Sequence, residues 1–485
     1  MRLLLASSEV EPYSKTGGLA DMTAALGKYL ARAGHRVGIV TPLHRGIPAQ
    51  YAKRLKPFDW SLDLPLSNAV VHADVAVAEP EPNLTIYFVD APVFYDRAGL
   101  YVDPASKAEY WDNTERYVFF SKAVVNLARY LPWKPEIVHV HDWHGGVVPL
   151  LVRHQSWNDG WMHPPKTVLT VHNLAPQGRC AGAKYGLTNL PAYYFHPDAA
   201  EFFGDFNPLK AGLVFSDALT TVSPTYAKEI LTPAYGEGLD GLLRHRQQVL
   251  TGILNGVDYE QWQTERNPQL PRPYSAADPA GKAACKAELQ AELGLPVRAD
   301  VPLFGTITRI DPQKGVDLIL SALEEMLASD LQYVLLGTGR PDFETAFRYL
   351  ASRYPRKVAA QIGYDSALAH RIEAGCDFYL MPSRFEPCGL NQMYSLRYGA
   401  VPVVRATGGL QDSVVDAREV PERADGIKLQ APAAPALVKS IRKALALWRE
   451  PALLERYRRN GMTADFSWQR SVRQYEALYA KLRAQ

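Results

Sequence analysis

Short apolar runs alternating with amphipathic stretches constrain this chain more than any other feature. The runs fall at residues 3–7, 37–41, 84–89, 137–141, 168–171 and 218–222, and then at 249–254, 303–308, 333–336, 377–381 and 401–404. Runs this short, bounded by Gly, Pro or Asn, read as strands buried on both faces of a parallel sheet. Residues 20–33, 316–327 and 391–398 carry their apolar side chains at helical spacing and read as crossover helices. Parallel strands need crossovers to join them, so the pattern predicts an α/β fold with doubly wound sheets.

The pattern stops and then restarts. Residues 260–300 are poor in strand signal and rich in Pro and Ala, with Pro268, Pro271, Pro273 and Pro279 close together. We therefore expect two lobes, 1–252 and 253–465, hinged near Asn255-Gly256-Val257-Asp258. Chains with two such lobes can return a terminal helix to the first, and 466–485 is expected to do so. A length of 485 residues suits about two to four domains.

Bulk chemistry narrows the partners. A formal net charge of +2 lacks the basic excess of a nucleic-acid binder. The four cysteines (Cys180, Cys285, Cys376 and Cys388) form no CxxC pair, so neither a disulfide framework nor a zinc ribbon is indicated. No stretch approaches the roughly 18–20 apolar residues that span a bilayer. The first apolar run is too short for a signal peptide, and acidic Glu9 and Glu11 follow it. These features predict a cytoplasmic protein with no nucleic-acid or membrane partner, and they leave the oligomeric state open.

Four segments carry chemistry. After the first strand come Lys15, Gly17 and Gly18, and a helix starts near Leu19. Glycines let a backbone approach a ligand, a helix N-terminus aims N–H groups at an anion, and Lys15 adds charge, so the turn reads as a diphosphate cradle or as a plain strand-to-helix turn. In the second half, Arg309 and Lys314 follow the carboxyl end of a strand, where open α/β sheets bind ligands. Two cations there would stabilise a leaving diphosphate without a metal. The third segment, residues 381–390, sets Glu386 between Phe385 and Pro387, ahead of Gly389 and a helix. Its carboxylate reads as a helix N-cap, or as a partner for sugar hydroxyls and an oxocarbenium-like centre. The fourth is His139-Val140-His141-Asp142-Trp143-His144, whose histidines and acid at a strand end invite a metal-site reading and, with it, a metallohydrolase. His172 ends another strand, as a hydrogen-bonded core residue or as a contact to a sugar.

Taken in order, KTGGLAD, HDWH, TVHN, SPTYAKEI, GILNGVD, RIDPQKG, SRFEPCGL and TGGLQDSV resemble bacterial glycogen synthases and plant starch synthases, from Lys15 to about Val415. The resemblance implies a GT-B fold of two Rossmann-like lobes with a deep cleft between them. It implies retaining transfer of glucose from ADP-glucose to the non-reducing 4-OH of an α-1,4-glucan, glycogen or a maltooligosaccharide, with no metal and no cofactor. By the same resemblance, Lys15, Gly17, Gly18 and Asp21 would face the diphosphate and acceptor side. Arg309 and Lys314 would bind the phosphates, Glu386 would sit by the donor glucose, and His172 would hold a glucose hydroxyl. Asp142 would lie near the reacting sugar, Asn255 would contact the glucose, and Tyr364 would flank the adenine. Cys388, Gly389 and Leu390 would offer backbone N–H groups. The chain departs from the family at Asp311-Pro312 and at Asn391, where Thr is usual, which bears on donor-base preference.

Overall fold

The computed structural model describes residues 1–485. The chain divides into two compact units, Met1–Ile253 with Trp468–Gln485, and Leu254–Ser467.

The first unit is built on a nine-stranded sheet. Its spatial order is Leu250–Gly252, Ala218–Thr221, Lys166–Val171, Ile137–His141, Arg2–Ala6, Arg36–Pro42, Leu84–Asp90, Ala69–Glu81 and Lys56–Leu66. The first seven pair in parallel, and all of them except the edge strand Leu250–Gly252 are buried along most of their length, matching the apolar runs. The last two pair antiparallel, with each other and with Leu84–Asp90. This hairpin adds an antiparallel edge that the apolar runs do not show, beside the doubly wound parallel strands that they do. In Lys56–Leu66, Leu62, Leu64 and Leu66 are buried while Asp63 and Pro65 face out, the period-two signature of a sheet wet on one face.

Helix Trp468–Arg483 belongs to this unit. Trp468, Val472, Tyr475, Tyr479 and Leu482 recur at helical spacing and share one core with Leu3, Leu5, Leu26 and Ile137. Glu476 bonds His35 at 2.7 Å, and Arg483 pairs with Glu136 at 2.7 Å.

The second unit holds a six-stranded, wholly parallel sheet in the order Val358–Ile362, Gln332–Gly339, Leu303–Ile310, Phe378–Met381, Val401–Arg405 and Ile427–Leu429. Helices Val316–Met326 and Ala434–Trp448 bury Val316, Ile319, Leu323, Leu437 and Ile441 against one face with Phe304, Tyr333 and Phe378.

In each unit the winding reverses beside the first strand of its sheet. In the first, Arg2–Ala6 lies between Arg36–Pro42 and Ile137–His141. In the second, Leu303–Ile310 lies between Gln332–Gly339 and Phe378–Met381. Crossovers leave to opposite sides at such a point, so the loops at the strands' carboxyl ends part and open a crevice there.

Candidate active site

The switch point of the second unit gathers its charged candidates. Strand Leu303–Ile310 runs into the short turn Pro312–Lys314, which Asp311 caps by accepting the Gln313 N–H at 2.7 Å. Gly315 follows with φ +70°, and a Cβ there would lie 2.4 Å from the Pro382 carbonyl oxygen. Glycine alone lets this turn close on the neighbouring loop. The two loops are then tied by the Arg384 N–H, which donates to the Gln313 carbonyl at 2.7 Å.

That approach brings Lys314 Nζ to 2.6 Å from Glu386 Oε2, with Ser383 Oγ donating to the same oxygen at 3.0 Å. The lysine and glutamate side chains are 17% and 8% exposed. Glu386 is therefore not a helix N-cap. Leu390 occupies that position for Asn391–Arg397, and the glutamate aims its carboxylate at the lysine. The backbone of Glu386 is fixed as well, because the Gly409 N–H donates to its carbonyl at 3.1 Å. A Cβ on Gly408 (φ +43°) would sit 2.0 Å from that carbonyl oxygen.

The other candidates of this unit are placed differently. Arg309 is 64% exposed and reaches Gln313 at 3.4 Å and Asp311 at 3.9 Å. Tyr364 follows strand Val358–Ile362 and is 84% exposed. Asn255 is buried, and its Oδ1 has no partner. Its backbone N–H points at the Cys388 thiol, which burial pushes up to about 12. Gly389 takes φ +68° beside the Gln392 amide. Asn391 donates to the Ile307 carbonyl at 2.7 Å and to the Tyr379 hydroxyl at 2.8 Å, so the departure from Thr ties the helix start to the central strand.

In the first unit the candidates again sit at carboxyl ends. Asp142 follows Ile137–His141 with φ +55° and ψ −170°, a region that glycine favours and that costs other residues on the order of 1–3 kcal/mol. The strain places its Oδ1 2.7 Å from the His172 backbone N–H. Burial pushes the Asp142 carboxyl up to about 7, although the N–H groups of His172 and Asn173 pull the other way. Burial pushes the His172 imidazole down to about 3, so the ring is neutral and can exchange hydrogen bonds with an uncharged hydroxyl.

The expected cradle is more constrained than its sequence suggests. Lys15 is not a free point charge, because its ammonium lies 2.6 Å from Asp21 and 3.6 Å from Glu11. Gly17 caps helix Gly18–Arg32 with φ −160°, an extended value any residue adopts, and a Cβ there would meet nothing within 4 Å. Neither backbone nor packing demands glycine at this position, and the space beside it is open. Glu9 is the residue that sequence reasoning missed. It is buried and accepts from the Thr16 N–H and hydroxyl, holding the loop that carries Lys15 and Gly17. An acid directly after a buried strand was the only available signal.

The histidine cluster does not converge as a metal site would. His139 and His141 share a strand face, as expected from their spacing, but both ring nitrogens of His139 are occupied by Tyr479 and Thr170. No three His, Cys, Asp or Glu side chains are grouped to hold a metal ion.

Comparison with known proteins adds to this geometry. Residues 2–245 match the family model described as the starch synthase catalytic domain, and residues 294–462 match glycosyl transferases group 1. A glycogen synthase of Anaeromyxobacter sp. (strain Fw109-5) is 49% identical over 485 residues, covering 100% of both chains. A glycogen synthase of Myxococcus xanthus (strain DK1622) is 46% identical over 487 residues, again covering 100% of both. Among solved structures, the catalytic domain of Starch Synthase IV from Arabidopsis thaliana bound to ADP and acarbose superposes with a TM-score of 0.91 at 32% identity, covering 100% of this chain and 99% of that one. Sucrose-phosphate synthase from Thermosynechococcus elongatus shares the fold, with a TM-score of 0.62 at 19% identity over 99% of each chain.

Proposed function

The chain belongs to the glycogen and starch synthase family of glycosyltransferases, and from that premise we propose that it transfers glucose from ADP-glucose to the non-reducing 4-OH of an α-1,4-glucan, with retention. The observation that carries this reading is the Lys314–Glu386 pair, a shielded cation and carboxylate at the switch point of a parallel sheet. Cleaving a glucosyl–phosphate bond leaves negative charge on diphosphate oxygens, and fixed cations stabilise it. Lys314 and the exposed Arg309 take that role, so the step calls for no metal or cofactor. Glu386 supports the cationic sugar without attacking it. The diphosphate departs on the face that the acceptor 4-OH approaches, and its oxygen accepts the acceptor's proton. A retaining glycosidase instead sets two carboxyl groups about 5–5.5 Å apart, whereas the partner of Glu386 is an ammonium group.

The remaining roles follow from chemistry and placement. Neutral His172 bonds a glucose hydroxyl, and Asp142 lies by the reacting sugar. Buried Asn255, with its free amide oxygen, contacts the glucose. Exposed Tyr364 flanks the adenine, and Cys388, Gly389 and Leu390 present backbone N–H groups. Lys15, Gly17, Gly18 and Asp21 serve the diphosphate and acceptor side. The four cysteines are free and three are buried, which suits a reducing cytoplasm. No helix is long and apolar enough to cross a membrane.

The test is glucose incorporation into glycogen or maltooligosaccharides from ADP-glucose and from UDP-glucose, each with and without EDTA. We expect ADP-glucose to be the better donor and EDTA to have no effect. Chelator-sensitive hydrolysis without glucosyl transfer would overturn the proposal.

A further inference from the structure

Two histidines beside Asp142 have no part in the transfer described above. His139 and His141 are both fully buried, with ring centroids 4.5 Å apart. His139 is saturated, with Nδ1 at 2.7 Å from the Tyr479 hydroxyl and Nε2 at 2.6 Å from Thr170 Oγ1. His141 is not. Its Nδ1 lies 3.2 Å from His172 Nε2, while its own Nε2 is buried without a partner.

That asymmetry selects a tautomer. Burial pushes the imidazoles of His141 and His172 down, so both rings are neutral near pH 7 and each carries one proton. Two arrangements satisfy the contact between them. If His172 Nε2–H donates, His141 accepts at Nδ1 and its proton lies on Nε2, a buried donor with no acceptor. If His141 Nδ1–H donates, the orphaned Nε2 is a bare lone pair. A buried donor without an acceptor is the rarer and costlier defect, so the second arrangement prevails. His172 then accepts at Nε2 and keeps its proton on Nδ1, the one ring nitrogen left for a ligand.

We propose that His141 is a positioning residue that locks His172 in its Nδ1–H tautomer, so that His172 meets a sugar hydroxyl as a hydrogen-bond donor. The inference rests on the assignment of His172 to the glucose. His139 extends the same device, because its ring packs against His141 and is pinned by Tyr479. Helix Trp468–Arg483 thereby reaches the sugar contact through Tyr479, His139 and His141 in turn.

Two measurements on the full-length protein test this. Long-range 1H–15N spectra of 15N-histidine-labelled protein near pH 7.5 report which nitrogen of each ring is protonated, with the His172 signals assigned by their loss in His172→Asn. The expected result is Nδ1–H on His172, and Nε2–H there would overturn the proposal whatever the variants do. For turnover, His141→Asn sets an amide N–H where Nδ1–H stood, and His141→Leu offers no donor. We expect the Asn variant within about threefold of wild-type kcat and the Leu variant lower by roughly ten- to a hundredfold. Equal turnover in the two variants, each with a cooperative thermal transition, would refute the positioning role. Wild-type turnover in His172→Ala would instead sink the glucose assignment, while the spectra still decide the tautomer.

Discussion

Replacing Lys314 with alanine separates a phosphate-binding lysine from one that merely neutralises Glu386. The ammonium and carboxylate are 2.6 Å apart, with side chains 17% and 8% exposed. Without the lysine, Glu386 keeps only the Ser383 hydroxyl among its hydrogen-bond donors. Breaking a buried pair costs about 3–5 kcal/mol. Turnover should fall further. A unit charge about 4 Å from a diphosphate oxygen, at an effective dielectric near 20, is worth about 4 kcal/mol, and losing one fixed donor to a developing oxyanion slows reactions roughly 10²–10³-fold. We therefore expect Lys314→Ala to lower kcat for ADP-glucose by about 10²–10³. Lys314→Ala/Glu386→Gln should regain most of the lost stability in urea titrations but none of the turnover. If the lysine serves only Glu386, removing it from a Glu386→Gln background will cost nothing. That equality, or Lys314→Ala within about threefold of wild type, would refute the phosphate role.

Gly17→Ala should leave the thermal midpoint almost unchanged, within about 0.5 kcal/mol, because its Cβ meets nothing within 4 Å. It should still raise the KM for donor or acceptor, and an unchanged KM would remove Gly17 from the site. Tyr364→Ala should likewise spare stability, since the ring is 84% exposed, while raising the KM for ADP-glucose roughly five- to tenfold through a lost stacking surface worth about 1 kcal/mol or more. The pH dependence of urea unfolding has two opposed parts. His139, His144 and His172 have native values pushed to about 3 from 6.5 by burial, so their stability is intact above 6.5 and drains away as pH falls towards 3, by roughly 1–2 kcal/mol per ring at pH 5. Asp142 runs the other way. Its carboxyl is raised from 3.8 to about 7, so its contribution is complete below 3.8 and is lost as pH climbs through 7. Asp142→Asn should therefore stabilise the protein at pH 8 by about 4 kcal/mol relative to its effect at pH 4, and a pH-independent difference would contradict the burial argument.

What the sequence revealed follows from where its information is local. Parallel strands buried on both faces appear as apolar runs, so the central strands of both sheets were legible. The hairpin Lys56–Leu66 and Ala69–Glu81 was not, because a half-exposed sheet alternates Leu with Asp and Pro and breaks every run. Edge strands Val358–Ile362 and Ile427–Leu429 escaped notice because one is interrupted by Gln361 and the other is three residues long. The site motifs were legible as strand-end loops, but their pairings were not. Lys314 and Glu386 lie 72 positions apart and meet only because adjacent parallel strands release their loops at the same end of the sheet.

The glycines sharpen this limit. Gly315 and Gly408 are required by their positive φ and by carbonyl oxygens at 2.4 and 2.0 Å from a would-be Cβ. Gly17 has an ordinary extended backbone and empty space before it. In the sequence the three are the same letter beside a helix start. In the fold two are answers to packing, and the third is explained by nothing the chain itself contains. Gly46 and Gly186 are as open, so it is the helix start beside Gly17 that sets it apart. If the proposed ligand contact in the first unit is real, the KM of Gly17→Ala will report it more directly than the charge of Lys15, which Asp21 already shares.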